Sequence, residues 1–353
     1  MTSPWMMLRS QRAESAPRLE PPSRLVATLP STAWGGQGGG VIAAAFDALN
    51  GRRIRYAFRK GSELIDPLTA GCEIDIMIDP AELPAAEAAV ATQGFRRLEA
   101  PGCPRHRFYL AFDRGRWLKI DAKIARRSSR SAAASSRWPA PERFFSAVAQ
   151  RRPLALRRQG PVVALLGPDG AGKGTIIEML RERIPVALTV LYLGERRHPT
   201  REAQPDVDAK DRHVGALREC AFVLRRALRF WRILLRGYLV AWSGHIVLCD
   251  RHPIEALAIR PRATRAAAAL ERFVFGRLMP WPDTVAILDA PGEVLFARKG
   301  EHDADLLERH RRRYRDTFVP RGARLISTVN GIEATFSEAS AMVWGALQDR
   351  RRW

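Results

Sequence analysis

A glycine-rich segment between an apolar strand and a helix is the first place where this sequence could do chemistry. It reads Gly167-Pro168-Asp169-Gly170-Ala171-Gly172-Lys173-Gly174-Thr175. Glycines let the backbone turn tightly enough for several N–H groups to point at one phosphate, and the start of the next helix adds its dipole. Lys173 would give a positive charge to the outer phosphates. The pattern predicts a phosphate-binding loop; a glycine-rich turn without a ligand is the structural alternative.

Two further segments place charged residues where a phosphate ligand needs them. The apolar strand Ile246–Cys249 ends at Asp250-Arg251-His252, and ligands of open α/β sheets bind at the carboxyl ends of strands. Farther along, Ala297–His302 contains Arg298 and precedes an arginine-rich helix, which continues with Arg309, Arg311, Arg312, Arg313 and Tyr314. Positive charge on a closing lid stabilises a phosphoryl group in transit. The alternative for Asp250-Arg251 is a surface ion pair, and the alternative for the arginine-rich segment is a solvated basic helix.

Together, these three segments resemble thymidylate kinases, which are P-loop kinases. The resemblance spans about Val162–Arg350, and the Gly-Lys-Gly-Thr part is also similar to adenylate kinases. It implies an α/β fold, a P-loop NTPase whose parallel sheet is flanked by helices. It also implies ATP and Mg²⁺ as cofactors.

The resemblance also implies roles for individual residues. ATP would contact Gly167, Asp169, Gly170, Ala171, Gly172, Lys173, Gly174 and Thr175. Thr175 and Asp250 would hold the Mg²⁺ ion. Lys173, Asp250, Arg251 and Arg298 would be catalytic, with Arg251 binding the phosphate of the acceptor.

One segment departs from the thymidylate kinase pattern. Residues 194–200 read Gly-Glu-Arg-Arg-His-Pro-Thr, where thymidylate kinases carry a segment like Arg-Glu-Pro-Gly-Gly-Thr. The donor side of the expected site is thus intact and the acceptor side has changed. The acceptor stays open between dTMP and another small phosphorylated or hydroxyl compound.

A second acidic pattern lies in the N-terminal half of the chain. Glu73 and Asp75 alternate on one expected strand, and Asp121 lies on a later one. Residues i and i+2 of a strand face the same side, so three carboxylates can converge on Mg²⁺. With Gly61-Ser62, the pattern resembles polymerase-beta-like nucleotidyltransferases over about Val41–Arg127, although Glu73 replaces the usual Asp. A degenerate domain that only binds a ligand or partner is the alternative.

Length and composition predict two domains. We expect a flexible arm at residues 1–40, an α+β nucleotidyltransferase-like domain at 41–151, a linker at 152–160 and the P-loop domain at 161–353. We expect the two domains to be separable, because linkers are poor in contacts. The sequence shows no secretory signal and no apolar stretch long enough to span a bilayer, which favours the cytoplasm.

The net charge of +21 comes mostly from arginine, since only six of the 58 basic residues are lysine. No nucleic-acid recognition motif accompanies this charge, so an anionic small molecule or surface is the expected partner. One basic stripe on a long helix consists of Arg218, Arg225, Arg229, Arg232 and Arg236. We expect Phe222, Trp231 and Leu235 of that helix to face the core. The stripe indicates an anionic acceptor or a membrane surface; a solvated face is the alternative.

Three functions follow from these patterns. The leading one is a kinase that transfers the γ-phosphate of ATP. The second is a nucleotidyltransferase in which the C-terminal domain only senses ATP. The third is an ATP-dependent switch without enzymatic activity.

Overall fold

The computed structural model describes residues 39–60, 72–101, 103–125, 160–194, 216–259, 264–300 and 302–349. These residues form an α/β structure with two sheets, one mixed and one wholly parallel. Most of the expected arm and linker lie outside the described residues.

The mixed sheet belongs to the N-terminal part. Its elements are α1 (Gly39–Gly51), β1 (Tyr56–Lys60), β2 (Cys72–Ile78), α2 (Leu83–Thr92), β3 (Arg96–Glu99), β4 (His106–Asp113) and β5 (Arg116–Ile124). The strand order is β1-β2-β5-β4-β3. Only β2 and β5 run parallel to each other, and they lie inside the sheet. Strands β4 and β5 form an antiparallel hairpin, and β3 pairs with the other side of β4.

The parallel sheet belongs to the C-terminal part, where strands alternate with helices. Its elements are β6 (Val162–Leu166), α3 (Lys173–Arg183), β7 (Leu188–Tyr192), α4 (Ala216–Trp242), β8 (Ile246–Asp250), α5 (Ala256–Ile259), α6 (Arg265–Phe273), β9 (Thr284–Asp289), α7 (Gly292–Lys299), α8 (Ala304–Phe318), β10 (Arg324–Ser327) and α9 (Ile332–Asp349). The strand order is β10-β9-β6-β8-β7. Strand β6 is buried along its whole length, which explains its continuous apolar sequence.

Apolar contacts join the two parts of the chain. Leu98, Leu110 and Trp117 of the mixed sheet belong to the same buried cluster as β6 and α9. The ring of Trp117 meets Trp344 edge to face, with 5.9 Å between centroids. Because burial of large aromatic side chains contributes strongly to stability, we expect this shared core to make the two parts of the chain unfold together.

Helix α4 packs on the parallel sheet through one face only. Val223, Phe230 and Leu234 are buried in the core. Phe222, Trp231 and Leu235 are 40%, 40% and 52% exposed, so the expectation that they face the core is wrong. Helical geometry explains the difference: these three residues lie on faces other than that of the buried set. Within the described ranges, no helix combines the length and apolar character needed to cross a bilayer.

Candidate functional site

The sequence-predicted phosphate site lies at the carboxyl edge of the parallel sheet. Strands β6, β8 and β9 are neighbours and run in one direction, so their carboxyl ends meet there. A cavity of about 470 Å³ opens at this edge. It is lined by Asp169, Gly170, Ala171, Gly172, Lys173, Gly174, Thr175, Tyr192, Asp250, Arg251, Arg298 and Lys299. The structure thus brings three distant sequence segments into one cavity.

The glycine-rich loop, residues 167–172, is shaped by close packing against its neighbours. Gly167 has φ +141° and Gly170 has φ +85°. A Cβ atom would lie 2.6 Å from the carbonyl oxygen of Leu288 at the first position and 2.6 Å from that of Leu295 at the second. Because L side chains rarely adopt these φ values and real Cβ contacts are longer, both positions require glycine. The resulting turn leads directly into the N-terminus of α3, a geometry that suits an anionic ligand.

Lys173 is folded against the glycine-rich loop. Its Nζ atom donates hydrogen bonds to the carbonyl oxygens of Gly167, at 2.7 Å, and Pro168, at 2.8 Å. Burial, and secondarily the positive charge of Arg251, lowers the pKa of the Lys173 amine to about 8. The ammonium is therefore held in place by weak neutral acceptors, which an anionic ligand would readily replace.

Arg251 follows β8 in a left-handed backbone conformation, with φ +67°. This conformation is costly for a residue with a side chain. Its guanidinium pairs with the carboxylate of Asp169 in the glycine-rich loop and lies 3.5 Å from Glu255. Burial alone would lower the pKa of Arg251, but Glu255 and Asp169 outweigh burial and raise it.

The same charges act on Asp169. Burial would raise the pKa of its carboxyl, but Arg251, Lys173 and Lys299 together hold that pKa below its usual range. Asp169 therefore stays ionised. An anionic ligand that reaches Arg251 would compete with a carboxylate that is itself paired and partly buried.

His252 has a structural part in this arrangement. Its Nδ1 atom accepts a hydrogen bond from the backbone N–H of Ile254 at 3.4 Å, at the start of a short 3₁₀ turn, Pro253–Glu255. Burial lowers the pKa of the imidazole to about 3. His252 is thus neutral, and it helps to fix the chain directly after Arg251.

Arg298 connects the first cavity to a second one of about 320 Å³. Its guanidinium donates to the side-chain oxygen of Thr328 at 2.9 Å and to the backbone oxygen of Thr328 at 2.8 Å. The second cavity is lined by Ala171, Gly172, Thr175, Ile176, Arg298, Thr328, Val329, Gly331, Ile332 and Thr335. Its walls are more apolar than those of the first cavity, and the two cavities share Ala171, Gly172, Thr175 and Arg298.

The arginine-rich helix α8 differs in part from the expected lid. Arg311 pairs with Asp289 at 2.8 Å, and Arg312 pairs with Glu308 at 3.3 Å. Tyr314 is fully buried in the core. Arg311 and Tyr314 are therefore part of the packed structure, whereas the Arg312 side chain is 74% exposed and pairs only along its own helix. The Glu301 position of the expected lid lies outside the described residues.

Sequence reasoning missed several residues that line the cavities. Tyr192 ends β7, and it is 52% exposed beside the first cavity. Thr328 and Val329 follow β10 beside the second cavity. All three come at or directly after the carboxyl end of a parallel strand, so the rule that pointed to Asp250 could also have found them.

The acidic residues of the N-terminal part also converge. Asp75 and Asp121 are register partners on β2 and β5, and carboxylate oxygens of Glu73, Asp75 and Asp121 lie within 4.8 Å of one another. These oxygens are suitable ligands for a divalent cation. Gly61-Ser62, which the sequence placed beside them, lies outside the described residues, as do residues 195–200.

Two basic side chains already contact this acidic cluster. Lys119 donates to Glu73 at 2.6 Å, and His106 Nδ1 lies 2.8 Å from Asp121. The Lys119 side chain is only 9% exposed. A cation at the cluster would therefore compete with Lys119 for Glu73, whereas Asp75 has no such contact among the described side chains.

No protein-family model matches this chain, and no curated protein matches it either.

Proposed function

We propose that the chain is an ATP-dependent phosphotransferase, with a P-loop NTPase fold in its C-terminal part and a thymidylate kinase-like site. The observation that carries this proposal is the pair of adjoining cavities at the glycine-rich loop. One is polar and rich in cationic groups, the other has apolar walls, and both are lined by Thr175 and Arg298. A ligand with a phosphate chain and a flat ring matches this pair.

The donor side consists of the glycine-rich loop and Lys173. Backbone N–H groups of the loop and of the first turn of α3 would bind phosphate oxygens. Lys173 would exchange its two carbonyl acceptors for phosphate oxygens and stabilise charge on the migrating group. Mg²⁺, when bound with ATP, would neutralise part of the phosphate charge, and Thr175 and Asp250 are the residues that would hold it.

The base of the nucleotide would occupy the second cavity. The apolar side chains of Ile176, Val329 and Ile332 line it and would exclude water from a ring. Arg298, fixed by Thr328, would lie between the ring and the phosphates. Its role would then include positioning the donor.

The acceptor side is defined by Arg251 and Tyr192. Arg251 is the group that would bind an anionic acceptor, since its guanidinium presents several donors in a planar fork. Tyr192 would contact the uncharged part of the acceptor. Asp169 holds Arg251 toward the cavity, so the acceptor side and the donor loop are directly connected.

The test is ATP turnover by the full chain in the presence of nucleoside monophosphates and sugar phosphates, with products identified by mass spectrometry. We expect one acceptor class to gain a phosphate, and Lys173→Ala to lower the rate of transfer by about a hundredfold or more. Lys123→Ala is the matched control, because Lys123 lies on β5 in the other part of the chain. Equal turnover by the Lys173 and Lys123 variants would overturn the proposal.

The convergent carboxylates favour a second candidate, a nucleotidyltransferase site in the N-terminal part. Its first requirement is metal binding, which stabilises the folded state by mass action. We expect Mg²⁺ or Mn²⁺ to raise the melting temperature, and Asp75→Asn or Asp121→Asn to remove that increase. Asp79→Asn is the control, since Asp79 lies beyond the end of β2. A melting temperature that ignores metal would exclude this candidate.

A further inference from the structure

Helix α4 carries a row of exposed apolar side chains along its length. We call it the exposed apolar row: Leu217, Leu224, Leu228, Trp231, Leu235, Leu239 and Trp242. Their exposed fractions range from 40% for Trp231 to 88% for Leu217. The intervals of seven, four, three, four, four and three residues keep them on one side of the helix. Single exposed apolar residues are ordinary, but a continuous row marks an interaction surface.

An arginine row runs beside the exposed apolar row. Each of the first five apolar residues is followed directly by an arginine, which gives Arg218, Arg225, Arg229, Arg232 and Arg236. All five are exposed. Among the side chains that the structure describes, no carboxylate forms an ion pair with any of them. The apolar and positive rows therefore lie side by side, about 100° apart around the helix.

The rest of the helix shows that this face is not needed for the core. A different face carries Val223, Ala227, Phe230 and Leu234, which are buried against the sheet. Arg226 points to the core side as well, where it pairs with Glu271 at 3.3 Å. The helix thus has one apolar face that stabilises the fold and a second one that does not.

We propose that this second face docks the protein on an anionic lipid surface, with α4 lying in the plane of the interface. Leucine and tryptophan side chains enter the boundary between headgroups and acyl chains, while arginines beside them bind anionic headgroups. The long arginine side chains reach outward to the headgroups and keep their charge in water. A helix of 27 residues presents a face about 40 Å long.

The positive charge of this face of α4 favours an anionic lipid surface over a second copy of the chain as its binding partner. The sequence of α4 contains a single carboxylate, Glu219, which accepts hydrogen bonds from Thr264. Two copies that met along this face would bring two rows of arginine together without acidic partners, which is unfavourable. An anionic lipid surface supplies the missing negative charge along the whole row.

The test is flotation of the full chain with two kinds of vesicle. One is pure phosphatidylcholine, and the other is an equimolar mixture of phosphatidylcholine and phosphatidylglycerol. We expect binding to the mixed vesicles only, weakened by salt. Leu228→Gln with Leu235→Gln should lower binding at least about tenfold, since each loses a buried apolar side chain at the interface. Arg229→Gln, Arg232→Gln and Arg236→Gln together should lower it on the order of a hundredfold.

Matched variants separate docking by this face from adsorption by the high net charge. Arg52→Gln, Arg181→Gln and Arg321→Gln remove three exposed charges outside α4 and should leave binding unchanged. If they weaken binding as much as the arginine-row variant, or if the Leu228 and Leu235 variant binds normally, the proposal is overturned. A thermal melt checks that every variant is folded.

Two other ways of covering the exposed apolar row would give different results. A second copy of the chain would appear as a dimer by light scattering, lost in the Leu228 and Leu235 variant, without binding to vesicles. Coverage by the chain's own first 38 residues would appear as vesicle binding only after their deletion. Either result would overturn the proposal for the full chain.

Discussion

The guanidinium of Arg251 pairs with the carboxylate of Asp169, and this contact links the end of β8 to the glycine-rich loop. Arg251 makes this contact with its backbone at φ +67°, a conformation that costs free energy for a residue with a side chain. In the proposed function, the same guanidinium binds the acceptor. An anionic acceptor would then replace Asp169 at some of the N–H donors of the Arg251 guanidinium.

Two substitutions of Arg251 distinguish the free-energy cost of its backbone conformation from the contribution of its side-chain contacts. Arg251→Ala loses the ion pairs and keeps the strained φ, whereas Arg251→Gly loses the pairs and relieves the strain. We expect the glycine variant to be more stable than the alanine variant by about 1 kcal/mol. Urea unfolding measures the difference, and both variants should lack phosphoryl transfer. If the alanine variant were as stable as the glycine variant, the backbone at residue 251 would not be strained.

Lys173 gives the most direct prediction on catalysis. Lys173→Ala should lower kcat by about a hundredfold or more, because one fixed donor at a developing charge contributes that much. The fold should persist, since among the described residues the Lys173 amine hydrogen-bonds only to backbone oxygens of the loop. Steady-state kinetics with the best acceptor measure the loss, and the Lys123→Ala variant provides the baseline.

The pH profile should report the lowered pKa of Lys173. The amine must be charged to bind phosphate, and its pKa is about 8 in the free protein. We therefore expect kcat/KM to be level below that pH and to fall about tenfold per unit above it, since kcat/KM reports the free enzyme. Bound phosphates raise this pKa, so kcat should fall only at higher pH. A kcat/KM that stays level through this range would be inconsistent with a role for Lys173.

The contact between Trp117 and Trp344 predicts a shared stability of the two parts of the chain. Trp117→Ala should cost about 3–5 kcal/mol of unfolding free energy, the usual range for a buried aromatic residue. Trp117→Phe should cost far less, because it keeps an aromatic ring and removes a buried N–H for which the described residues offer no hydrogen-bond partner. Chemical denaturation measures both, and a fragment that begins near residue 159 should aggregate. A soluble, stable fragment would instead show that the two domains are separable.

The changed segment at residues 194–200 predicts poor use of dTMP. A site whose polar groups stay unpaired rejects an acceptor by factors of up to about 10⁴. We therefore expect kcat/KM for dTMP to lie below about 10⁵ M⁻¹s⁻¹, well under an efficient enzyme. Coupled assays with dTMP and with the acceptor found by mass spectrometry make the comparison.

The sequence by itself determined the local elements of this protein and its glycine-rich loop. Strand β6, the loop and α3 are specified by a continuous apolar run, by glycines at positive φ and by a helical pattern. These signals are short-range, because they depend on backbone conformation and on burial of neighbouring residues.

Only the tertiary structure decided which charges meet. The pairing of Arg251 with Asp169 and of Lys119 with Glu73 joins residues 82 and 46 positions apart in the chain. It also decided that Trp231 and Leu235 of α4 face outward, although their residue types favour burial. A helix with two apolar faces does not reveal from its sequence which one packs on the sheet. That choice depends on the shape and size of the neighbouring elements, and these exist only once the chain has folded.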